Sequence, residues 1–397
     1  MLLCTMTPGN LLVIANNSLA IFFLRESNLS GRVKKSALTN NNFKCAKTVT
    51  RENDMSKKPF TNVTIEKVQR SDLEQLEKLF ATAFAGEVDL QQIKRRIRRA
   101  RQFYYILQPL SKFSGWIKNH FDVYAVKIAG QVVGFIQLSY LNSAQLHIDY
   151  IAFSKQYRGQ GLGRWVLTTL LETVADANNQ DVVLEVRVDN PAYKLYQRLG
   201  FRSVTEILHY EMILGGTTSS LPSPDDELPG FRKLTAKDRG QLYRLYKASV
   251  PPGLRRVIKR SYREFNPSML VRHLDWAKNY LMRKQKTNFV VEQSDKIVAL
   301  VTISSYVKTQ NYIISLIIHQ SYEYLRPALL KKAINLIEAS HKQGVISITI
   351  YSDDPAKQAT LEQLGFNRDA AYYLMFYPAA KKRKETVRAR SQNTSGK

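Results

Sequence analysis

Apolar residues alternate with polar ones through Val63 and Ile65 and return at Val68, which predicts a strand over 63–68; the spacing then changes to that of a helix over 71–83. Ser71 stands at the helix N-cap with Glu74 three residues on, the pattern of a capping box. Beyond a strongly basic helical stretch come two β runs, 123–128 and 131–140, joined by Ala129 and Gly130 as a tight turn. A third run, 145–153, leads into a glycine-rich turn. Helix 163–177, strand 182–188, helix 192–199 and strand 204–214 then complete an α/β unit.

The same pattern returns further along. Tyr124-Ala-Val-Lys-Ile-Ala-Gly-Gln-Val-Val-Gly matches Phe289-Val-Val-Glu-Gln-Ser-Asp-Lys-Ile-Val-Ala, and Leu199-Gly-Phe-Arg matches Leu364-Gly-Phe-Asn; both pairs are 165 residues apart. A constant offset of this length means a duplicated domain rather than a solenoid. The copies diverge at the chemistry. Where the first has three glycines, the second reads Gln320-Ser-Tyr-Glu-Tyr-Leu-Arg-Pro-Ala-Leu-Leu, and Leu361 stands at the position of Tyr196.

A chain of 397 residues exceeds what one core supports. The expected organisation is a leader over 1–54, a first domain over 55–214, a linker rich in Gly, Ser, Thr, Pro and Asp over 215–230, a degenerate second domain over 231–378, and a basic disordered tail over 379–397. In the leader, the apolar run 11–24 is broken by Asn16, Asn17 and Ser18, is too short to span a bilayer and has no basic residues before it, so it is read as neither anchor nor secretion signal. Met55 is expected to be the functional start, with a cytoplasmic protein; the other expectation is an organelle transit segment, since the leader holds seven Lys/Arg against three Asp/Glu.

Charge adds one constraint and cysteine usage another. The net charge of +26 favours anionic partners without specifying a fold. Cys4 and Cys45 both precede Met55, so the body has no disulfide, no cysteine zinc site and no thiol nucleophile. Its chemistry must use other groups.

Those groups cluster in one segment. Gly159, Gly161 and Gly163 separate a strand from a helix, where backbone amides can approach a phosphate without Cβ obstruction and the helix N-terminus favours an anion. About thirty residues on, Tyr196 lies one turn into the helix that follows Asn190-Pro191, where a neutral phenol is a candidate proton donor. A dinucleotide fold is disfavoured because the Gly-x-Gly-x-x-Gly spacing is absent and the loop follows several strands rather than the first.

Together the two segments resemble the GNAT superfamily, the GCN5-related N-acetyltransferases. Arg158-Gly159-Gln160-Gly161-Leu162-Gly163 fits its Gln/Arg-x-x-Gly-x-Gly/Ala signature, and Asn190 through Tyr196 to Phe201 fits its later Asn, Ala, Leu-Tyr and Gly-Phe signature. The likeness covers about residues 61–214 well and 230–377 in degraded form. It implies an α/β (α+β) fold of two tandem domains, each a mixed, mostly antiparallel sheet flanked by helices. It also implies acetyl-CoA as co-substrate without a metal, and direct transfer of acetyl to an amine in a ternary complex. By the same resemblance, the backbone of Ile151, Ala152 and Phe153 would pair with the pantetheine arm. Arg158, Gly159, Gln160, Gly161, Leu162, Gly163 and Arg164 would hold the pyrophosphate, with Asn190 counted in the cofactor site, and Tyr196 would protonate coenzyme A.

The general base stays open at this stage. Glu185, in Leu-Glu-Val-Arg, matches the base of the ribosomal-protein N-terminal acetyltransferase branch; other members draw it from the strand before the loop, where His147 and Asp149 share a face; a water chain is the third choice. An ion pair of Glu185 with Arg187 is the competing structural role. The acceptor amine, whether protein N-terminus, lysine, polyamine, antibiotic or another small amine, is not specified, and a homodimer is left open; no membrane partner is expected. The basic run Lys94-Arg-Arg-Ile-Arg-Arg-Ala-Arg101 beside Phe103, Tyr104 and Tyr105, and the basic tail from Lys381, are candidate grips for an anionic partner. They sustain an alternative function: a basic nucleic-acid- or ribosome-associated binding module with a regulatory or vestigial acetyl-CoA site.

Overall fold

The computed structural model describes residues 62–83, 121–142, 144–214, 228–281, 283–306, 310–340 and 343–381. The leader, the basic run Lys94 to Arg101, most of the linker and the tail beyond 381 lie outside the described residues. The described chain forms two compact units, one from 62–203 with 374–381 and the other from 204–373.

In the first unit the strands are β1 (Val63–Lys67), β2 (Phe121–Ile128), β3 (Gln131–Asn142), β4 (Gln145–Phe153) and β5 (Asp181–Arg187), in that order across the sheet. The first four are antiparallel to their neighbours and β5 is parallel to β4. Helix α1 (Leu73–Ala83) packs on β3 and β4, and the Gln75 side chain accepts a hydrogen bond from the Val132 N–H at 2.9 Å. At the entry to α1, the Gln69 N–H donates to Asp72 at 2.9 Å, while Glu74 pairs with Lys78 one turn on. Asp72 thus makes the return contact for which Glu74 is placed in the sequence. Helix α2 (Leu162–Leu170) runs on to Asp176 in wider π turns, and α3 (Ala192–Arg198) packs on β5. All nine residues of β4 are buried. Its apolar members Leu146 and Ile148 join Ile136, Leu138, Val166, Leu167 and Leu184 in the core, each contributing about 1.5–3 kcal/mol by burial.

The strand after α3, β6 (Arg202–Leu214), leaves this unit at residue 204. Its sequence position is at the end of the first copy, yet its apolar face is buried in the second unit. Leu208, Tyr210 and Met212 stand opposite Ile350, Ile348 and Ile346 of β11 (Gly344–Tyr351) and share one core with Ile314, Leu330, Ile334 and Phe366. Around that core the order is β12 (Asn367–Tyr377), β6, β11, β10 (Asn311–Ile318), β9 (Lys296–Tyr306), β8 (Lys284–Gln293) and β7 (Phe231–Lys233). The helices of this unit are α4 (Arg239–Ser249), α5 (Pro252–Val257), α6 (Tyr262–Phe265), α7 (Met269–Leu281), α8 (Arg326–Glu338) and α9 (Pro355–Gln363).

Reciprocally, the end of β12 returns to the first unit from Leu374 onward and lies beside β5. There Tyr377 packs on Phe201 with ring centroids 5.2 Å apart, the Ala379 N–H donates to Asp181 at 3.0 Å and the Lys381 N–H to Asn179 at 3.1 Å. Ala379 is buried, so the anchored chain extends past the expected start of the tail at 379. Both sheets are mixed and mostly antiparallel with flanking helices, as the sequence predicts. Among the described residues no helix is long and apolar enough to cross a membrane.

Candidate active site

β4 and β5 pair in parallel only from Gln145 opposite Asp181 to Ile148 opposite Leu184. Both strands run on, to Phe153 and Arg187, without further pairing to each other. On its other side, β4 stays paired to β3 through Ile151, Ala152 and Phe153. Where the parallel pair separates, β5 no longer covers that edge of β4, and an extended ligand segment can lie along it as a strand would. Ile151, Ala152 and Phe153 therefore sit where a pantetheine arm fits.

At the point of separation β4 carries its polar residues. Gln145, His147 and Asp149 follow at two-residue spacing on a strand that is wholly buried, and buried polar groups require partners. The pairing with β3 slips between Gln137 and Leu138, leaving Asp149 as the extra residue of a bulge, a device that re-aims a side chain. Asp149 Oδ1 lies 2.7 Å from His147 Nδ1; Oδ2 accepts hydrogen bonds from Ser139 Oγ and, at 3.1 Å, from Gln137 Nε2. The other ring nitrogen, His147 Nε2, is buried with no hydrogen-bond partner among the described residues.

Glu185 on β5 completes the cluster electrostatically. Burial pushes its carboxyl up from the ordinary 4.5, the His147 charge pulls it partly back, and the Asp149 charge pushes it up again; the net direction is upward. For His147 the ordering differs: burial lowers its pKa, but the hydrogen bond to Asp149 and the charges of Asp149 and Glu185 outweigh it, so the imidazolium is favoured. The three candidate bases are thus one coupled group. Arg187 makes its ion pair with Asp189, at 3.1 Å.

The turn after β4 is held by Arg158, whose Nε donates to the Phe153 carbonyl at 3.0 Å. Gly159 and Gly161 adopt φ of +74° and +88°, which favour glycine, and a Cβ at either would meet nothing within 4 Å. Gly161 is the N-cap of α2 and no side chain caps the helix; its first intrahelical bond is from the Trp165 N–H to the Gly161 carbonyl at 3.1 Å. The N–H groups of Leu162, Gly163 and Arg164 precede that bond and point out of the helix start. The first turn of α2 has no acidic residue. This open concavity fits a diphosphate. Leu162 and Gly163 are buried, Arg164 is exposed, and Gln160 turns back to donate to the Gln156 carbonyl at 2.6 Å.

Asn190 is buried, and its Oδ1 accepts from the Ala192 N–H at 2.9 Å, fixing the start of α3. One turn into α3, Tyr196 is fully buried with Phe201 edge-on at 5.7 Å. α3 packs on β5, the strand that carries Glu185.

A family model for the acetyltransferase (GNAT) family matches residues 89–201. An N-alpha-acetyltransferase of Sulfurisphaera tokodaii is 31% identical over 121 residues, which are 27% of this chain and 69% of that protein. The chain belongs to the GNAT acetyltransferase family. Its fold agrees: a GCN5-related N-acetyltransferase of Sphaerobacter thermophilus superposes with a TM-score of 0.53 at 14% identity, over 80% of this chain and 95% of that one. A tandem GNAT protein from the clavulanic acid biosynthesis pathway gives 0.51 at 12% identity, over 80% and 99%. The chain is an N-acetyltransferase, with GNAT-like architecture across most of its length.

The second GNAT-like unit keeps the scaffold without the site. β10 and β11 also pair in parallel over four residues, Asn311 to Ile314, before separating. Asp354 accepts from the Ala356 N–H at 2.9 Å as Asn190 does from Ala192, and the Phe366 N–H reaches the Leu361 carbonyl as Phe201 reaches Tyr196. In place of the glycine turn, however, a 3-10 segment (Gln320–Leu325) brings the Glu323 carboxylate onto the Arg326 guanidinium, at 2.6 and 2.9 Å, at the start of α8. That helix start is occupied by the chain's own anion.

Sequence reasoning overlooked Gln137 and Ser139, which hold Asp149. Their signal was available as two polar residues at two-residue spacing in an otherwise apolar strand, but only the bulge brings them to the carboxylate.

Proposed function

We propose that the first GNAT unit transfers the acetyl group of acetyl-CoA directly to the α-amino group of a polypeptide N-terminus, within a ternary complex. The observation that carries this reading is the buried His147–Asp149–Glu185 cluster at the point where β4 and β5 separate, in the unit that also has the open glycine turn. Bound acetyl-CoA supplies an activated thioester. Its pyrophosphate fits the amides from Gly159 to Arg164, its pantetheine arm the free edge from Ile151 to Phe153, and its thioester then lies beside the cluster.

Glu185 is the base. Both Asp149 oxygens already accept hydrogen bonds, and burial raises the Glu185 pKa, which suits a carboxylate that takes up a proton. The incoming ammonium loses a proton to Glu185 and the amine nitrogen attacks the thioester carbonyl. The C–N bond forms, the nitrogen gives its second proton to solvent as the C–S bond breaks, and the thiolate takes the Tyr196 phenolic proton, which solvent later restores, while Glu185 passes its own acquired proton to solvent. The products are an N-acetyl group and free coenzyme A. The N-terminal acceptor is supported by the likeness to proteins described as N-alpha-acetyltransferases.

The test is coenzyme A release from acetyl-CoA with peptides of varied N-terminal residue against lysine side chains, spermidine and aminoglycosides. Turnover confined to free peptide N-termini, with no acetylated enzyme by intact mass, is expected. Preference for a small amine would overturn the acceptor assignment, and an acetyl-enzyme the ternary complex.

A further inference from the structure

A second chemistry resides in the 204–373 unit. Arg239 opens α4 and Arg272 lies in α7; the Nε atoms of both are buried with no hydrogen-bond partner among the described residues. A buried guanidinium donor left unsatisfied among the described residues is costly, and an anionic acceptor would relieve each of the two. Their charges also oppose each other: burial lowers the Arg239 pKa, and Arg272 lowers it further.

β8 adds two lysines on one strand face. Lys284 and Lys286 are two residues apart, and α7 packs on this strand. Although Lys286 is an exposed residue, the protein around its ammonium pushes its pKa down; Asp275 opposes this, and Arg260 and Arg239 add to it. Lys284 is lowered to about 8, first by desolvation and then by Lys286. Asp275 is the acid that acts on both lysines, and Glu264 is engaged with Arg260 and the Ser261 N–H. The charges of Arg239, Arg260, Arg272, Lys284 and Lys286 thus act on one another here, and a bound polyanion would offset that repulsion.

Arg272 also begins a stripe. Residues 272, 276 and 280 follow at four-residue spacing on α7, so they lie along one face. Trp276 and Tyr280 are 68% and 74% exposed and stacked, with centroids 5.8 Å and planes 19° apart. A tryptophan and a tyrosine held flat in solvent, continuous with a cationic cluster, match a ligand that alternates phosphates with aromatic bases.

We propose that the α7–β8 face of the second unit binds single-stranded nucleic acid, with phosphates on Arg239, Arg272 and Lys286 and bases on Trp276 and Tyr280. A duplex, whose bases are stacked on each other, offers only the phosphates. This surface shares no residue with the acetyl-transfer site.

The experiment is fluorescence anisotropy of the full chain with a labelled twelve-nucleotide single-stranded RNA and with a duplex of equal charge, across a salt series. Single strands are expected to bind more tightly. Trp276→Ala with Tyr280→Ala should weaken them about tenfold or more and leave the duplex nearly unchanged. Arg272→Gln should reduce the slope of log affinity against log salt by about 0.7. Trp276→Phe with Tyr280→Phe, which retains stacking and the fold, should stay close to wild type. Coenzyme A release should be unaffected in all these variants. Equal affinity for single strands and duplex, an aromatic pair whose removal changes nothing, or binding of an acidic protein that nucleic acid does not displace would each overturn the proposal.

Discussion

The Nδ1 of His147 lies 2.7 Å from Oδ1 of Asp149, two residues further along the same buried strand. The contact depends on the bulge at Asp149 and on Ser139 and Gln137, which occupy the other carboxylate oxygen. Asp149 favours the protonated imidazole against the burial that disfavours it. Asp149→Asn should therefore lower the His147 pKa, observable as an acidward displacement of its imidazole resonances in an NMR titration. An unmoved titration would mean that Asp149 does not set the protonation of His147.

Glu185 gives turnover its acid limb. A base must be deprotonated to act, and burial raises the Glu185 pKa, so the rate should climb with pH through a midpoint above the ordinary 4.5. Glu185→Gln should remove that limb and reduce kcat by about 10²- to 10⁴-fold, the usual span for loss of a general base. A wild-type-like profile in this variant, with His147→Gln losing the limb instead, would transfer the role to the imidazole.

Tyr196→Phe removes one hydroxyl from a fully buried ring and preserves the edge contact to Phe201. Turnover should fall about a hundredfold or more while the affinity for acetyl-CoA, measured by calorimetry, changes little. Substrates with better thiolate leaving groups should lose less. Unaltered turnover would show that solvent supplies the proton.

Gly161→Ala tests the cradle without a clash inside the protein, because a Cβ there meets nothing within 4 Å. The positive φ makes the substitution cost about 1 kcal/mol in stability. The added methyl also projects into the space assigned to the diphosphate, so acetyl-CoA affinity should fall, and Gly161→Glu should abolish it by adding like charge. Retained binding in Gly161→Glu would remove this turn from the cofactor site.

Much of the first unit was legible from one-dimensional pattern. The limits 145–153 of β4 coincide with the observed strand, because a run of apolar residues closed by Ser154 and a glycine turn admits little else. The glycine turn and the helix after Asn190-Pro191 were also placed from sequence, whereas the positive φ at 159 and 161 and the cap that Asn190 makes came from the structure. Less legible was how Glu185, His147 and Asp149 relate. They are candidates on two strands in the sequence, and only the parallel pairing of β4 with β5 brings the charges of His147 and Asp149 to bear on Glu185.

Periodicity and turn chemistry are local, and they were enough to establish two copies of one α/β pattern, the first with its chemistry intact and the second without. Which core each terminal strand enters is not a local property. Leu208, Tyr210 and Met212 alternate as any half-buried strand does, and that alternation specifies a face, not a partner; the choice of Ile350, Ile348 and Ile346 was made by packing. The same holds for Arg239 and Arg272, which are 33 positions apart in the chain, have Nε atoms without a hydrogen-bond partner among the described residues, and act on each other's charge only in the folded unit.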